Sequence, residues 1–317
     1  MPSDAILFGV LNLHKPGGMT SRDLVNKVQR LVRPVKVGHA GTLDPMATGV
    51  LLVCVGPATR LVTMLQEGSK TYVAEFLLGQ SSDTDDNTGQ ITHHSTPASL
   101  PTRGEIVECL QTMQGAISQV PPAFSAVHVN GRRAYSLARE GQEITLNAKD
   151  VVIHSIQVLT YEWPRLELEI VCGSGTYVRS IARDLGQKLG CGGLMSRLER
   201  TSIGDFSIAE SVAFEELTSD NIGEFLFPAI RIVSNLAKFD CSPEQVKAML
   251  CGKQLVGEFA PKPDKLPPTA GDLVALTRGE FTELLALAEL TPEGRLQPRT
   301  VFLKHSEPNQ GKDLSEP

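Results

Sequence analysis

Six apolar residues fill positions 50–55 without a break, closed off by Gly49 and Gly56. A run this short between turn residues predicts a strand buried on both faces. Upstream, residues 10–13 predict a short strand and residues 14–19 a turn. Thr20 or Ser21 can cap the next helix, in which Leu24, Val25, Val28, Leu31 and Val32 share a face and which Pro34 ends. Downstream, positions 58–65 predict a short helix carrying Arg60, and positions 71–79 a strand with Tyr72 at its start. Thr102 and Glu105 form a capping-box pattern ahead of a helix with Ile106, Leu110 and Met113 on one face. Residues 166–172 alternate with period two, as a half-buried strand does. Gly173-Ser174-Gly175 then turns the chain into a helix with Val178, Ile181, Ala182, Leu185 and Leu189 together, while Arg179 and Arg183 share another face.

From about Asn235 the texture changes. Ser242-Pro243-Glu244-Gln245 is a strong helix start, with Val246, Met249 and Leu250 on the face and Gly252 to close it. Residues 261–268 hold four prolines and predict an irregular loop. Strands are expected at 273–276, 284–288 and 294–303, and a polar, disordered tail from 304 to 317. The chain therefore divides into a large domain (1–234), a small one (235–303) and the tail.

Composition narrows the class. The 317 residues are enough for one large and one small domain, and 41% hydrophobic with 21% charged residues is ordinary for a globular protein. No apolar run approaches the roughly 20 residues of a membrane span. The N-terminus lacks the layout of a signal peptide, so a cytoplasmic protein is expected. The six cysteines form no C-x-x-C pair and no histidine stands at zinc-finger spacing, so reduced thiols are expected rather than a metal site. The acidic stretch 80–89 lacks the central glycine and closing glutamate of a calcium loop and reads as a solvated loop on the rim of a site. The net charge of −6 argues mildly against nucleic acid as a partner, yet between Leu11 and Gln80 eight basic residues face four acidic ones.

Within that basic stretch one carboxylate stands out. Asp44 lies in a glycine-rich loop leading into the buried strand, and Pro45 biases it toward an extended or turn shape. It is a candidate catalytic group, or a turn acid bonded to its own backbone. Gly38-His39-Ala40-Gly41-Thr42-Leu43-Asp44-Pro45 resembles the signature of the TruB family, the bacterial tRNA pseudouridine-55 synthases. Lys15-Pro16-Gly17-Gly18-Met19-Thr20-Ser21, Lys70-Thr71-Tyr72, the proline-rich stretch 120–131, the run from Gly175 to Gly186, and Leu198 to Thr201 with Ile203-Gly204-Asp205-Phe206 are similar to further motifs of that family. The likeness reaches from about Gly9 to about Phe206.

The resemblance implies a fold, a reaction and a set of roles. The fold is α+β: a mixed, mostly antiparallel sheet flanked by helices, with an RNA-gripping insert whose arginines suit phosphate contact, plus a small β-rich PUA-like C-terminal domain. The reaction isomerises uridine 55 in the T-loop of tRNA to pseudouridine, with no cofactor and no metal. Asp44 is the catalytic aspartate, acting on C1′, on the base or on a ribose proton. Arg179 is expected to pair with it and keep it ionised by lowering its pKa. The base must be extruded; Tyr72 stacks on it, Leu198 completes the sandwich, and His39 fills the gap left in the RNA. Lys15, Arg60 and Tyr177 are expected to line the pocket. A monomer is the plain expectation. Two other readings stand beside this one: a non-catalytic tRNA-binding or tRNA-folding module, and a synthase of the same fold acting on another RNA.

Overall fold

The buried apolar run forms a strand, Thr48–Val55, in which residues 50–55 are wholly inaccessible. The structure, a computed structural model, describes residues 7–125, 127–129, 132, 133, 135, 140, 146–257 and 267–303. They fall into two compact units, Met1–Leu226 and Phe227–Pro317. The division precedes the change of texture near Asn235.

The first unit is built on one sheet. Its strands are β1 (Gly9–Lys15), β2 (Val37–His39), β3 (Thr48–Val55), β4 (Lys70–Leu78), β7 (Gly115–Gln119), β10 (Lys149–Glu162), β11 (Arg165–Cys172), β12 (Gly193–Ile203), β13 (Phe206–Ser207) and β14 (Val212–Ala213). The paired strands β5 (Gln80–Ser82) and β6 (Ile91–His93), and β8 (His128–Val129) and β9 (Arg132–Arg133), stand apart from it. The order is β14-β1-β3-β12-β4-β11-β10-β7, with β2 pairing β3 and β13 pairing β12. Among the strand pairs named here, β1 with β14 and β12 with β3 run parallel and the others antiparallel. The sheet is mixed and mostly antiparallel, as the resemblance implies.

Among the described residues, the α-helices flanking it are α1 (Ser21–Leu31), α2 (Val62–Glu67), α3 (Arg103–Gln111) and α4 (Val178–Lys188). The expected caps form. Thr20 closes a capping box with Asp23 at α1, and Thr102 closes one with Glu105 at α3. Leu24, Val25 and Val28 of α1 pack on Leu11, Leu13, Leu51 and Val53. On β4, β11 and β12, α3 and α4 bury Ile106, Leu110, Ile181 and Leu185 against Phe76, Leu168, Ile170 and Met195. Each buried Leu, Ile or Phe contributes roughly 1.5–3 kcal/mol through area removed from water. α4 reaches the sheet closely because Gly186 has no side chain: a Cβ there would meet the Gly193 nitrogen at 2.1 Å.

The acidic stretch departs from expectation. Asp85 and Asp86 are buried rather than solvated. The loop docks on β12, where Met195 N donates to Asp85 O at 3.1 Å and Asn87 N to Met195 O at 3.1 Å. Burial of the two charges is tolerated because α4 supplies arginines to both.

The second unit carries a four-stranded sheet, Ala237–Asp240, Leu273–Arg278, Glu283–Leu290 and Leu296–Val301, in that order. Helix Pro243–Leu250 starts at the predicted Ser242–Gln245 capping box and buries Met249 beside Phe239, Leu276 and Leu285. The first strand of that sheet is not legible in the apolar pattern. The tail from 304, most of the proline-rich loop, and most of the arginine-bearing insert lie outside the described residues. Among the described residues no helix is long and apolar enough to cross a membrane.

Candidate active site

Asp44 sits in the loop joining β2 to β3, and that loop is pinned from beneath. Ser21, at the start of α1, accepts from Leu43 N at 2.9 Å and donates to Leu43 O at 3.2 Å. Gly18 N donates to Pro45 O at 2.8 Å. Lys15 is fully buried, and its ammonium donates to the carbonyls of Pro16, Pro45 and Ala47 at 2.9, 3.2 and 2.6 Å. The turn is real, since Ala47 N donates to Asp44 O at 3.1 Å. The carboxylate itself turns away to α4.

There it meets Arg179. Nε lies 3.0 Å from Asp44 Oδ2, and Nη2 donates to Oδ1 at 3.2 Å, a bidentate pair. The remaining donors are also used: Nη1 reaches Thr84 O at 3.1 Å and Asp86 Oδ2 at 3.5 Å, and Nη2 reaches Phe124 O at 3.3 Å. One turn on, Arg183 pairs with Asp85 at 2.8 Å and donates to Val120 O at 2.9 Å. α4 thus ties together the Asp44 loop, the acidic loop and the segment that enters the insert. The Arg179 side chain is 7% exposed, whereas a third of the Asp44 side chain remains open and can be reached from outside.

Burial raises the Asp44 carboxyl above its ordinary range, and Asp86 adds to the rise. Arg179 and Lys15 pull it back toward the ionised form without cancelling the effect of burial. Arg179 acts in the expected direction, lowering the pKa of its partner, but desolvation is the larger effect and the net shift is upward. Lys15 is shifted the other way, down to about 8, again by burial first, with Asp44 opposing and Arg200 assisting.

With this geometry in view, two family profiles match the chain. One, described as TruB family pseudouridylate synthase (N terminal domain), matches residues 29–178; the other, tRNA pseudouridylate synthase B C-terminal domain, matches residues 179–224. The tRNA pseudouridine synthase B of Clostridium kluyveri is 42% identical over 79% of this chain and 86% of its own. The protein of the same name from Dehalococcoides mccartyi is 37% identical over 94% of this chain and 97% of its own. The chain belongs to the TruB family. It is a tRNA pseudouridine synthase, an isomerase that modifies tRNA. A solved H/ACA RNP bound to a substrate RNA containing 2′-deoxyuridine includes a chain of similar fold, with TM-score 0.70 and 25% identity, covering 95% of this chain and 87% of that one.

In this TruB-family chain the other candidates are placed as follows. Tyr72, on β4, is half-buried between its cross-strand neighbours Ile170 and Arg200. Leu198, on β12 two pairs along opposite Ala74, projects from the same face as Tyr72 and is buried in the core. Tyr177 caps α4; Gln119 holds its backbone, accepting from the nitrogen at 2.8 Å and donating to the carbonyl at 3.1 Å. His39 is half-buried in β2 opposite Val53, and burial lowers its pKa. Arg60 is exposed and follows the end of β3 remote from Asp44; that strand alone spans roughly 27 Å at 3.4 Å per residue. The apolar and turn patterns did not mark Asp86 or Arg200 as part of this assembly, nor the depth at which Lys15 is buried. Arg132, in the insert, is exposed and paired with Glu140. Among the described residues no group of three or more His, Cys, Asp or Glu side chains is placed to hold a metal ion.

Proposed function

We propose that this protein converts uridine 55 in the T-loop of tRNA to pseudouridine, with Asp44 as the group that acts on the nucleotide. The observation that carries the reading is the Asp44–Arg179 pair: an acid whose pKa burial raises, fixed by a bidentate guanidinium, with a third of its side chain open. In the reaction the bond from N1 to C1′ breaks and one from C5 to C1′ forms; the proton leaves C5 and N1 gains one. Electrons are neither added nor removed, so the residues needed are those that bind, orient and act as acid, base or nucleophile.

A uridine inside a folded RNA loop is reached by extrusion. Tyr72 supplies the ring on which the base stacks, as single-stranded bases do on aromatic side chains, and Leu198 closes the apolar side. His39 occupies the space the base vacates. Lys15 and Tyr177 shape the pocket from behind, the first through loop carbonyls and the second through the α4 cap. Arg60 is assigned to RNA outside the pocket. The second unit adds contacts to tRNA rather than chemistry.

The test is site-resolved pseudouridine mapping on unmodified tRNA, with wild-type protein and with Asp44→Asn, no metal added. Conversion at the T-loop uridine by the wild type alone is expected. Conversion by Asp44→Asn at the wild-type rate removes the aspartate from its role. Tight binding without conversion by either protein makes the chain an RNA-binding module.

A further inference from the structure

We infer that Arg200 is a positioning residue, which sets the ring of Tyr72 against the loop that carries Asp44. The inference rests on Tyr72 being the stacking ring. Arg200 is 1% exposed, so its role is exercised through other residues and not by touching the base.

Its place in the sheet gives it two neighbours. β12 lies between β3 and β4, and Arg200 pairs with Gly49 on one side and Tyr72 on the other. Directly opposite residues of an antiparallel pair project from the same face, with Cβ atoms about 5 Å apart. The guanidinium and the phenol therefore rise together from the sheet. On the β3 side, Nε donates to Val50 O at 2.8 Å and Nη2 to Gly41 O at 3.4 Å. Gly41 precedes Asp44 in the loop and Val50 follows it. One side chain thus spans the entry and exit of the catalytic loop while standing beside the candidate stacking ring.

The chemistry of the neighbours agrees. Burial raises the Tyr72 phenol, and the nearby Arg200 charge opposes that rise. Arg200 also helps depress Lys15, Lys70 and His39. Lys15, Lys70 and Arg200 are all buried around one stretch of sheet. A core chosen for stability alone fills such a position with an apolar side chain of similar volume, because desolvating a charge is costly. A planar fork holds two carbonyls through separate nitrogens at fixed angles while its charge stands beside the ring; a lysine's donors all radiate from a single nitrogen.

The test uses Arg200→Lys and Arg200→Met, each alone and combined with Tyr72→Phe. Three quantities are read: the single-turnover rate at saturating tRNA, the tRNA dissociation constant, and the titration of the Tyr72 phenol by NMR of ring-labelled tyrosine. Arg200→Lys should lower the rate about tenfold or more and leave tRNA affinity within about twofold, with the loss shrinking to under about threefold in the Tyr72→Phe background. Arg200→Met should move the phenol titration to higher pH; if that variant does not fold, the lysine cycle decides alone. Losses that multiply in the double variants, or a rate unchanged in Arg200→Lys, overturn the inference. Undiminished turnover in Tyr72→Leu overturns the stacking role itself, whereas a large loss there together with multiplying Arg200 losses overturns only the coupling.

Discussion

The guanidinium of Arg179 holds Asp44 by two nitrogens, Nε at 3.0 Å and Nη2 at 3.2 Å, across 135 residues of chain. Lysine can meet one carboxylate oxygen there and cannot also hold Thr84 O and Asp86. Arg179→Lys should leave the fold intact and lower single-turnover pseudouridine formation by roughly 100-fold, the scale on which misplacing a reacting group acts. A rate within a few-fold of wild type would show that the pair does not orient Asp44.

Asp86 gives a pH test. Asp44 must be ionised to act as a nucleophile or base, and its carboxyl is raised above its ordinary range. Activity should therefore be lost, as pH falls, at a point above the usual aspartate value of about 3.9. Asp86 contributes to that rise, so Asp86→Asn should move the acid limb to lower pH. Rate against pH for the two proteins checks this, and an unmoved limb counts against it.

Lys15 sets the alkaline side. Its folded-state pKa of about 8 lies below the ordinary lysine value of about 10.4. Above pH 8 the clamp on Pro45 and Ala47 loses its charge and one donor, and turnover should decline. Stability follows the opposite sign. Between about 8 and about 10.4 the unfolded chain binds the extra proton, so this group makes the fold more stable as pH rises. The decline in rate should therefore come without a fall in melting temperature attributable to Lys15, which parallel rate and melting curves can show. Lys15→Met should abolish that alkaline limb along with most of the activity.

Gly49 is a backbone requirement. Its φ is +97°, and a Cβ there would lie 2.2 Å from Arg200 O, where β3 passes β12. Gly49→Ala should cost about 3 kcal/mol or more, since strain and backbone overlap combine, and the melting temperature reads it. Thr102→Ala is the control: losing the α3 cap should cost about 1 kcal/mol and leave turnover unchanged, because the Thr102 side chain bonds Glu105 at the start of α3 and not the groups around Asp44.

Much of this was legible in the sequence because it depends on neighbours in the chain. β3 follows from six apolar residues between two glycines, α1 from a Thr20 or Ser21 cap ahead of an apolar face, and α3 and the second unit's helix from cap residues three apart. Other features depend on partners far away. Asp85 and Asp86 look solvated until Arg183 and Arg179 arrive from α4, over ninety residues later. Lys15 looks like a turn lysine until the carbonyls of the Asp44 loop close over it. The fourteen-residue β10 left no regular pattern because its pairing with β11 slips twice, between Ile153 and Ser155 and between Val158 and Thr160, which breaks the alternation that marks a strand.

The position of β12 has a consequence for how the protein is made. It is the last long strand of its sheet in the chain, yet it takes a place in the middle, between β3 and β4. As the chain emerges from the ribosome, β3 and β4 stand as open edges until about residue 203 is free, and β3 is the more apolar of the two. Open apolar edges recruit other strands. The nascent chain is most exposed to aggregation just before its site can exist, and a protein truncated before β12 should be found in inclusion bodies rather than as an inactive soluble fragment.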